Sequence, residues 1–229
     1  MAGDRAILIV QFIGRKGSFK TTFMTALGDM ANYHGVKVLA NYPIIYKKKE
    51  VERAELVDVL ETPDMIMGSM YLWDEAYADV DSARHRSIGN LDMSYFNFQH
   101  RKSKFDLILT YIHFTSVDPR LRDEADLTIL CEAVPPLGKP DLAVFRFCLP
   151  PAIQLETSKN MFNFDVIRTV MTYADDWAPM WKCFDTYWKR PVKEIREQRL
   201  RYEEKRKLEK EILVKKIREE LKAEMMAKA

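Results

Sequence analysis

The pattern of apolar and polar positions at the start of the chain predicts a strand, a helix and a second strand. Residues 6–13 form a short apolar run that stops at a glycine-containing segment, which is typical of a buried strand. Residues 21–33 carry apolar side chains at spacings of three and four, and Gly35 follows as a stop signal. Residues 36–42 are again mainly apolar. This order predicts a βαβ unit with parallel strands and a right-handed crossover.

Later apolar runs predict further strands of the same sheet. They span residues 70–73, 105–114, 127–133 and 142–149, and proline-containing loops separate several of them. Residues 52–60 predict a helix that ends before Pro63. The whole pattern predicts an α/β fold with a mainly parallel central sheet flanked by helices.

The composition changes after Pro191. Residues 193–229 are dominated by lysine, arginine and glutamate and contain no proline or glycine, which predicts a long, charged, solvated C-terminal helix. We therefore expect a main domain over residues 1–190 and a helical extension over residues 191–229. The extension either stays free or uses a sparse apolar stripe to contact a partner, the stripe being Ile212, Ile217, Leu221 and Met225.

Charge and cysteine content limit the classes of function. The net charge of the 229-residue chain is only +2, so any contact with nucleic acid must be local. The three cysteines are widely spaced and form no C-x-x-C pair, which argues against a disulfide framework or a zinc site and favours a reducing compartment. The apolar run at residues 6–13 is too short for a secretory signal or a membrane span, so we expect a cytoplasmic protein.

The segment between the first strand and the first helix matches most of the G-x-x-x-x-G-K-S/T phosphate-binding pattern. In such a loop, backbone N–H groups and the helix N-terminus face the phosphates, the lysine neutralises them, and the hydroxyl after it is a ligand of Mg²⁺. Lys20 and Thr21 take these two roles here. The residues predicted to bind ATP are Gly14, Arg15, Lys16, Gly17, Ser18, Phe19, Lys20, Thr21 and Thr22.

Phe19 departs from this pattern because it stands where the second glycine is expected. We expect Gly17 to supply the flexibility and Phe19 to offer its N–H from a backbone with negative φ. The alternative is a glycine turn capped by Ser18, with surface lysines and no ligand.

Two acidic residues follow the apolar run at residues 70–73. Asp74 is expected to hold Mg²⁺ together with Thr21, and Glu75 is expected to polarise the attacking water. Acidic residues after a strand also commonly begin a helix. The pair therefore indicates a nucleotide site only in combination with the phosphate loop that precedes it.

Several segments between residues 5 and 135 together resemble the successive motifs of Zot-like viral ATPases. That family belongs to the FtsK/HerA superfamily of DNA-pumping motors, which includes viral genome-packaging ATPases. The segments are residues 72–76, 81–84, 99–102, 105–111 and 117–122, and residues 183–187 resemble a short motif that often closes such domains.

The resemblance implies that arginines after the acidic pair sense phosphate across subunits of a ring. Arg120 and Arg122 are the favoured candidates, followed by Arg101 and then Arg84; the alternative for each is an ordinary surface arginine. The family usually has a sensor glutamine at the end of the strand before the arginine motif. Here Thr110 or His113 replaces it, or the coupling step is altered, and His113 is expected to be a buried core residue instead.

The function that the resemblance implies is an ATP-hydrolysing oligomeric motor that translocates double-stranded DNA, independently of sequence, in viral genome packaging. Such a protein acts in the host cytoplasm, and its C-terminal helix could contact a capsid or membrane-associated assembly partner. Basic clusters at residues 47–49, 84–86 and 101–104 are candidates for contact with DNA phosphates, although most such clusters are solvated loops.

Two other functions stay open at this point. One is a nucleotide-binding virus assembly protein of the Zot-like kind with weak or no hydrolysis, which Phe19 and the missing glutamine favour. The other is a small-molecule kinase, against which stands the lack of a recognisable lid or acceptor-binding motif.

Overall fold

The computed structural model describes residues 7–55, 58–59, 62, 66–76, 104–116, 119–135, 140–149 and 164–185, together with separate positions from 200 to 219. Arg120 is described by its backbone alone. The chain divides into two compact units, Met1–Trp188 and Lys189–Ala229.

An eight-stranded, mostly parallel sheet forms the centre of the first unit, in the order β10-β9-β8-β1-β7-β6-β2-β5. The strands from β8 to β5 pair in parallel, whereas β9 and β10 pair antiparallel at one end. The strands are β1 (Ile9–Ile13), β2 (Val38–Ala40), β5 (Glu52–Arg53), β6 (Met70–Trp73), β7 (Asp106–Tyr111), β8 (Leu127–Val134), β9 (Leu142–Cys148) and β10 (Val166–Tyr173). The predicted α/β class with a mainly parallel sheet is thus confirmed.

Apolar layers cover both faces of this sheet. Ile9 and Ile13 of β1 contribute to one core cluster, while Val10 and Phe12 contribute to the other, as the alternation of side chains along a strand requires. Helix α1 (Lys20–Tyr33) supplies Met24 and Ala31 to the second cluster. All five residues of β1 are buried, including Gln11, whose Nε2 donates to Thr128 Oγ1.

The remaining described helices are short. They are α2 (Pro119–Arg122) and α3 (Ala178–Trp181), with 3₁₀ turns at Phe114–Ser116 and Ala174–Trp177. Within the described ranges, no helix is long and apolar enough to cross a membrane.

The helix predicted over residues 52–60 is wrong at its start. Glu52 and Arg53 form β5 and pair in parallel with Leu39 and Ala40 of β2. The helical turn begins after Glu55, whose N–H donates to the Asp58 carboxylate at 2.9 Å in the manner of a capping box. Residues 58 and 59 are helical.

A hairpin of β3 (Ile45–Tyr46) and β4 (Lys49–Glu50) was not predicted. Its two-residue turn is Lys47–Lys48, with both φ angles positive at 46° and 69°. Two-residue hairpin turns usually contain asparagine or glycine, so two lysines give no sequence signal for such a turn.

In the second unit, every described position from 200 to 219 is helical and exposed. Leu208 and Ile212 are each 58% exposed. The continuous charged helix over residues 191–229 stays a prediction, because the intervening positions lie outside the described residues.

Candidate functional site: a phosphate loop facing an acidic strand end

Four neighbouring parallel strands bring polar residues to one edge of the sheet. The loop 14–19 leaves the end of β1, Thr110 lies near the end of β7, and Asp74 follows β6. Asn41 follows β2, the next strand along the sheet. Because these strands are parallel, their carboxyl ends meet at the same edge, where α/β proteins commonly bind ligands.

The loop passes close against the neighbouring strand β8. A Cβ atom on Gly14 would lie 2.2 Å from the Cys131 carbonyl oxygen and 2.5 Å from Ser18 Oγ, so only glycine fits at this position. Gly17 has φ +79°, a conformation that side chains disfavour. Gly14 and Gly17 therefore suit this loop for different reasons, the first because space is lacking and the second because its φ is positive.

Ser18 carries a buried hydroxyl that has no hydrogen-bond partner within the described part of the chain. Buried polar atoms without partners are uncommon, and one inside a loop of this type is consistent with a ligand acceptor that completes its hydrogen bonding. Arg15, Lys16 and Gly17 are exposed on the same loop. The loop thus offers positive charge on a solvent-accessible surface.

Phe19 does not have the negative φ expected from the sequence. Its backbone is left-handed, with φ 65° and ψ 12°, and it is the N-cap residue of α1. The loop imposes the conformation that the missing glycine would adopt, at a cost of roughly 1–2 kcal/mol for a residue with a side chain. The ring is only 7% exposed and belongs to the second core cluster, so its burial offsets this cost.

Lys20 begins α1 and folds back over the loop. Its Nζ donates to the Arg15 carbonyl oxygen at 2.9 Å. Burial lowers the pKa of Lys20, while the nearby Asp74 carboxylate acts in the opposite direction. A partly buried ammonium group held by one carbonyl is well placed to exchange that partner for an anion.

Asp74 accepts two hydroxyl hydrogen bonds on one carboxylate oxygen. Thr21 Oγ1 donates to Asp74 Oδ1 at 2.9 Å and Thr110 Oγ1 donates to the same atom at 2.5 Å. Burial raises the pKa of Asp74, and these two hydrogen bonds and the charge of Lys20 oppose that shift. The structure therefore joins the two predicted metal ligands, Thr21 and Asp74, although they are 53 residues apart.

Asn41 fixes the backbone of Asp74 from the other side and was not singled out from the sequence. The Asp74 N–H donates to Asn41 Oδ1 at 2.7 Å, and Asn41 Nδ2 donates to the Asp74 carbonyl oxygen at 2.9 Å. A polar residue directly after a short buried strand at the ligand-binding edge is the signal that could have identified it.

Glu75 lies at the solvent edge of the site. It is exposed, has φ 52°, and its N–H donates to Thr110 Oγ1 at 3.0 Å. Thr110 therefore contacts both members of the acidic pair. His113 lies beyond the end of β7 and is exposed, so the expectation that it is a core residue is wrong.

The predicted arginines are only partly described. Arg122 donates to Asp123 Oδ1 at 3.0 Å and lies 4.6 Å from the centre of the Phe114 ring, so it has partners in its own chain. Arg120 lies in α2, and its side chain is outside the described residues. Arg84 and Arg101 also lie outside them.

The basic cluster at residues 47–49 lies away from the loop. Tyr46 of the same hairpin donates to the carbonyl oxygen of Thr25 at 2.7 Å, and Lys47 Nζ lies 4.9 Å from the centre of the Tyr33 ring. The hairpin therefore follows α1 from its middle to its last residue, whereas the phosphate loop is at its first. The clusters at residues 84–86 and 101–103 lie outside the described residues.

The residues present fit a magnesium ion bound with a nucleotide. Mg²⁺ usually takes one or two protein oxygen ligands and completes its shell with phosphates and water. Thr21 and Asp74 supply a hydroxyl and a carboxylate in direct contact. Among those residues there is no cluster of three or more histidine, cysteine or acidic side chains that would hold a metal ion without a phosphate.

Comparison with known proteins finds similar solved structures but no match to a family model or a curated sequence. A genome packaging NTPase from Sulfolobus turreted icosahedral virus 2, solved with ATP-gammaS, is similar over 71% of this chain and 97% of its own, with 13% identity and a TM-score of 0.49. The N-terminal domain of zonular occludens toxin from Neisseria meningitidis is similar over 79% of this chain and 100% of its own, with 17% identity and a TM-score of 0.47.

The strand order and the loop of this chain define its fold. The sheet is mostly parallel, and the phosphate loop between β1 and α1 faces an acidic pair at the end of β6. The chain has the α/β fold of a P-loop NTPase.

Proposed function

We propose that this protein is a Mg²⁺-dependent ATPase whose site is the loop from Gly14 to Thr22 together with Asp74 and Glu75. The contact between Thr21 and Asp74 carries the proposal, because it joins the phosphate loop to the acidic strand end in the arrangement that phosphoryl transfer requires. The exposed positive charge of the loop and the unpartnered hydroxyl of Ser18 support it.

Each side chain has a distinct task in this mechanism. The loop N–H groups and Lys20 bind the phosphates and stabilise the charge that spreads over the γ-phosphate oxygens. Thr21 and Asp74 would hold Mg²⁺, which would neutralise phosphate charge. Thr110 orients Asp74 Oδ1 and the Glu75 N–H, and Glu75 accepts a proton from the attacking water at its exposed carboxylate.

The finer proposal is an oligomeric motor of the FtsK/HerA type that translocates double-stranded DNA in viral genome packaging. Its support is the succession of motifs between residues 5 and 135. Arg120, Arg122 and Arg101 are the candidates for completing a neighbouring subunit's site. Since Arg122 already pairs with Asp123 in its own chain, Arg120 is the first of the three to test.

A second candidate is a nucleotide-binding virus assembly protein with weak or no hydrolysis. The phenylalanine at position 19 and the threonine at position 110 favour it, because each residue departs from the sequence pattern of a fast ATPase of this family. Both candidates share the same nucleotide site and differ in turnover.

Steady-state phosphate release, with and without double-stranded DNA, separates these candidates. The motor proposal expects DNA to stimulate hydrolysis in the wild-type protein and expects Glu75→Gln to abolish hydrolysis while ATP still binds. ATP binding without turnover in the wild-type protein would favour the assembly protein. In the assays without DNA, Lys48→Ala, at the hairpin turn, serves as a charge-matched control for Lys20→Ala.

A further inference from the structure

An exposed tryptophan lies directly beside the phosphate loop. Trp181 is the last residue of α3, and its ring lies 6.3 Å from the Phe19 ring, centre to centre, at an interplanar angle of 28°. Phe19 is almost fully buried, whereas Trp181 is 37% exposed. Solvent therefore reaches the tryptophan ring and hardly reaches the phenylalanine ring.

The segment that carries Trp181 is anchored on the opposite side of the loop from the acidic pair. Trp177, four residues earlier, packs against Phe23 of α1 and Phe145 of β9, with ring centres 5.5 Å away in both cases. In the sheet, β9 lies two strands from β1 on one side, and β6 with Asp74 lies two strands from β1 on the other. The loop is thus between the aromatic segment and the acidic pair.

This placement sets the direction in which a nucleoside triphosphate would lie. Its γ-phosphate belongs near Asp74 and Glu75, where the predicted metal ligands and the water-polarising group are. Its α-phosphate, ribose and base then extend across the start of α1, away from β6. The side on which they emerge is the side of Phe19 and Trp181.

We propose that Trp181 is the platform on which the base of the bound nucleotide stacks. This contact with the base adds to the contacts of the loop with the phosphates, and it rests on the proposed nucleotide site. Aromatic rings bind bases through their π faces with little discrimination among them, and indole offers a large face. Two other aromatics in the described ranges, Tyr33 and Tyr173, are more exposed, at 72% and 70%, but no ring contact joins either of them to the loop.

The ring pair also explains the burial of Phe19. The side chain that replaces the motif's glycine is turned into the aromatic cluster and supports Trp181 from beneath. A glycine at position 19 would leave Trp181 without this support.

Calorimetric titration with two ligands tests the platform separately from the phosphate site. Tripolyphosphate has the phosphates and lacks the base, so its dissociation constant reports on the loop alone, whereas that of ATP reports on both contacts. Trp181→Ala should raise the Kd of ATP about tenfold, within the range typical of base stacking, and leave the Kd of tripolyphosphate unchanged. Trp181→Phe should retain most of the ATP affinity, and Tyr33→Ala, at the far end of α1, should change neither constant.

Intrinsic fluorescence gives a second measurement that needs no destabilising substitution. ATP should quench tryptophan emission in the wild-type protein, tripolyphosphate should not, and Trp181→Phe should remove the ATP-dependent change. Equal weakening of both ligands by Trp181→Ala, or an unchanged Kd for ATP, would overturn the platform. A wild-type protein that binds neither ligand would instead overturn the proposed nucleotide site itself.

Discussion

Phe19 shows how a single residue can depart from a binding pattern while the loop keeps its shape. The left-handed backbone costs roughly 1–2 kcal/mol for a residue with a side chain, and burial of the ring against Trp181 and the core cluster compensates for that cost. Backbone strain and side-chain burial therefore act in opposite directions at this one position.

Paired substitutions separate these two effects. Phe19→Ala should destabilise the protein by roughly 3–5 kcal/mol, as is typical for loss of a buried phenylalanine side chain. Phe19→Gly loses the same ring but relieves the backbone, so it should be more stable than Phe19→Ala by about 1 kcal/mol. Urea unfolding measures both; a glycine variant less stable than the alanine variant would contradict the left-handed backbone at position 19.

Asp74 is the residue where the requirements of folding and of the proposed catalysis conflict. Burial raises its pKa, so the folded protein without nucleotide favours the protonated carboxyl group more than the unfolded chain does. Protonation of Asp74 therefore contributes to the stability of the folded protein. This contribution is fully present below the pKa that Asp74 has in the unfolded chain, near the ordinary value of 3.8. It is lost as the pH rises through the higher pKa that Asp74 has in the folded protein.

Asp74→Asn removes this titration while keeping an acceptor oxygen for the Thr21 and Thr110 hydroxyls. At pH 7 and without ligand, the variant should have a higher unfolding temperature than the wild-type protein, and the difference should shrink as the pH falls towards 3.8. Its Mg²⁺-dependent hydrolysis should be lost. Thermal unfolding across this pH range is the measurement, and a difference that stays constant with pH would contradict the assigned pKa direction.

At the scale of elements, the site depends on how the ends of β2 and β6 are joined. Beyond the last residues of these strands, the Asn41 side chain makes two hydrogen bonds to the Asp74 backbone and so extends their pairing by side chain instead of main chain. This contact fixes the backbone of Asp74, from which the carboxylate side chain extends.

Asn41→Ala should weaken metal binding without disturbing the phosphate loop. Losing the two hydrogen bonds at this buried position should cost roughly 1–3 kcal/mol of stability. The Mg²⁺ concentration for half-maximal hydrolysis should rise, while the Kd of ATP without Mg²⁺ should stay the same. Asn32→Ala, on an exposed position of α1, is the control; equal Mg²⁺ requirements in the two variants would exclude the positioning role of Asn41.

The strands and the helix that hold the loop could be predicted because β1, β6, β7 and α1 have strong apolar patterns. Strand β10 was missed because it is an edge strand with most of its positions exposed, so its sequence lacks the alternation of a half-buried strand. Its β-branched residues, including Val166, Ile167 and Val170, were the available signal. The loop residues were predictable from the motif, whereas the Asn41 contact and the Phe19 backbone depend on tertiary packing.

At the scale of the whole molecule, the motor proposal requires each active site to use residues of two subunits. Glu75 would act in the active site of its own subunit and Arg120 in the active site of the neighbouring subunit. Substitutions of Glu75 and of Arg120 should therefore impair opposite sides of one subunit interface. Head-to-tail interfaces in a ring have this property.

Mixing inactive variants tests this arrangement. Glu75→Gln and Arg120→Ala should each abolish hydrolysis alone, and a reassembled equimolar mixture should recover up to about a quarter of the wild-type rate, because some interfaces then combine two intact residues. The coupled phosphate-release assay measures this. No recovery in a mixture shown by mass to contain both variants would contradict action of Arg120 across subunits.

Titration of ATP into the protein, with and without Mg²⁺, tests the central claim most directly, since every further proposal requires a triphosphate in the loop between Gly14 and Thr22. The account predicts that the wild-type protein binds ATP, that Mg²⁺ strengthens binding, and that Lys20→Ala weakens it at least tenfold, as expected for loss of a charge-assisted contact, while Lys48→Ala has no effect. Absence of ATP binding in the wild-type protein, or equal affinities in the two lysine variants, would contradict it.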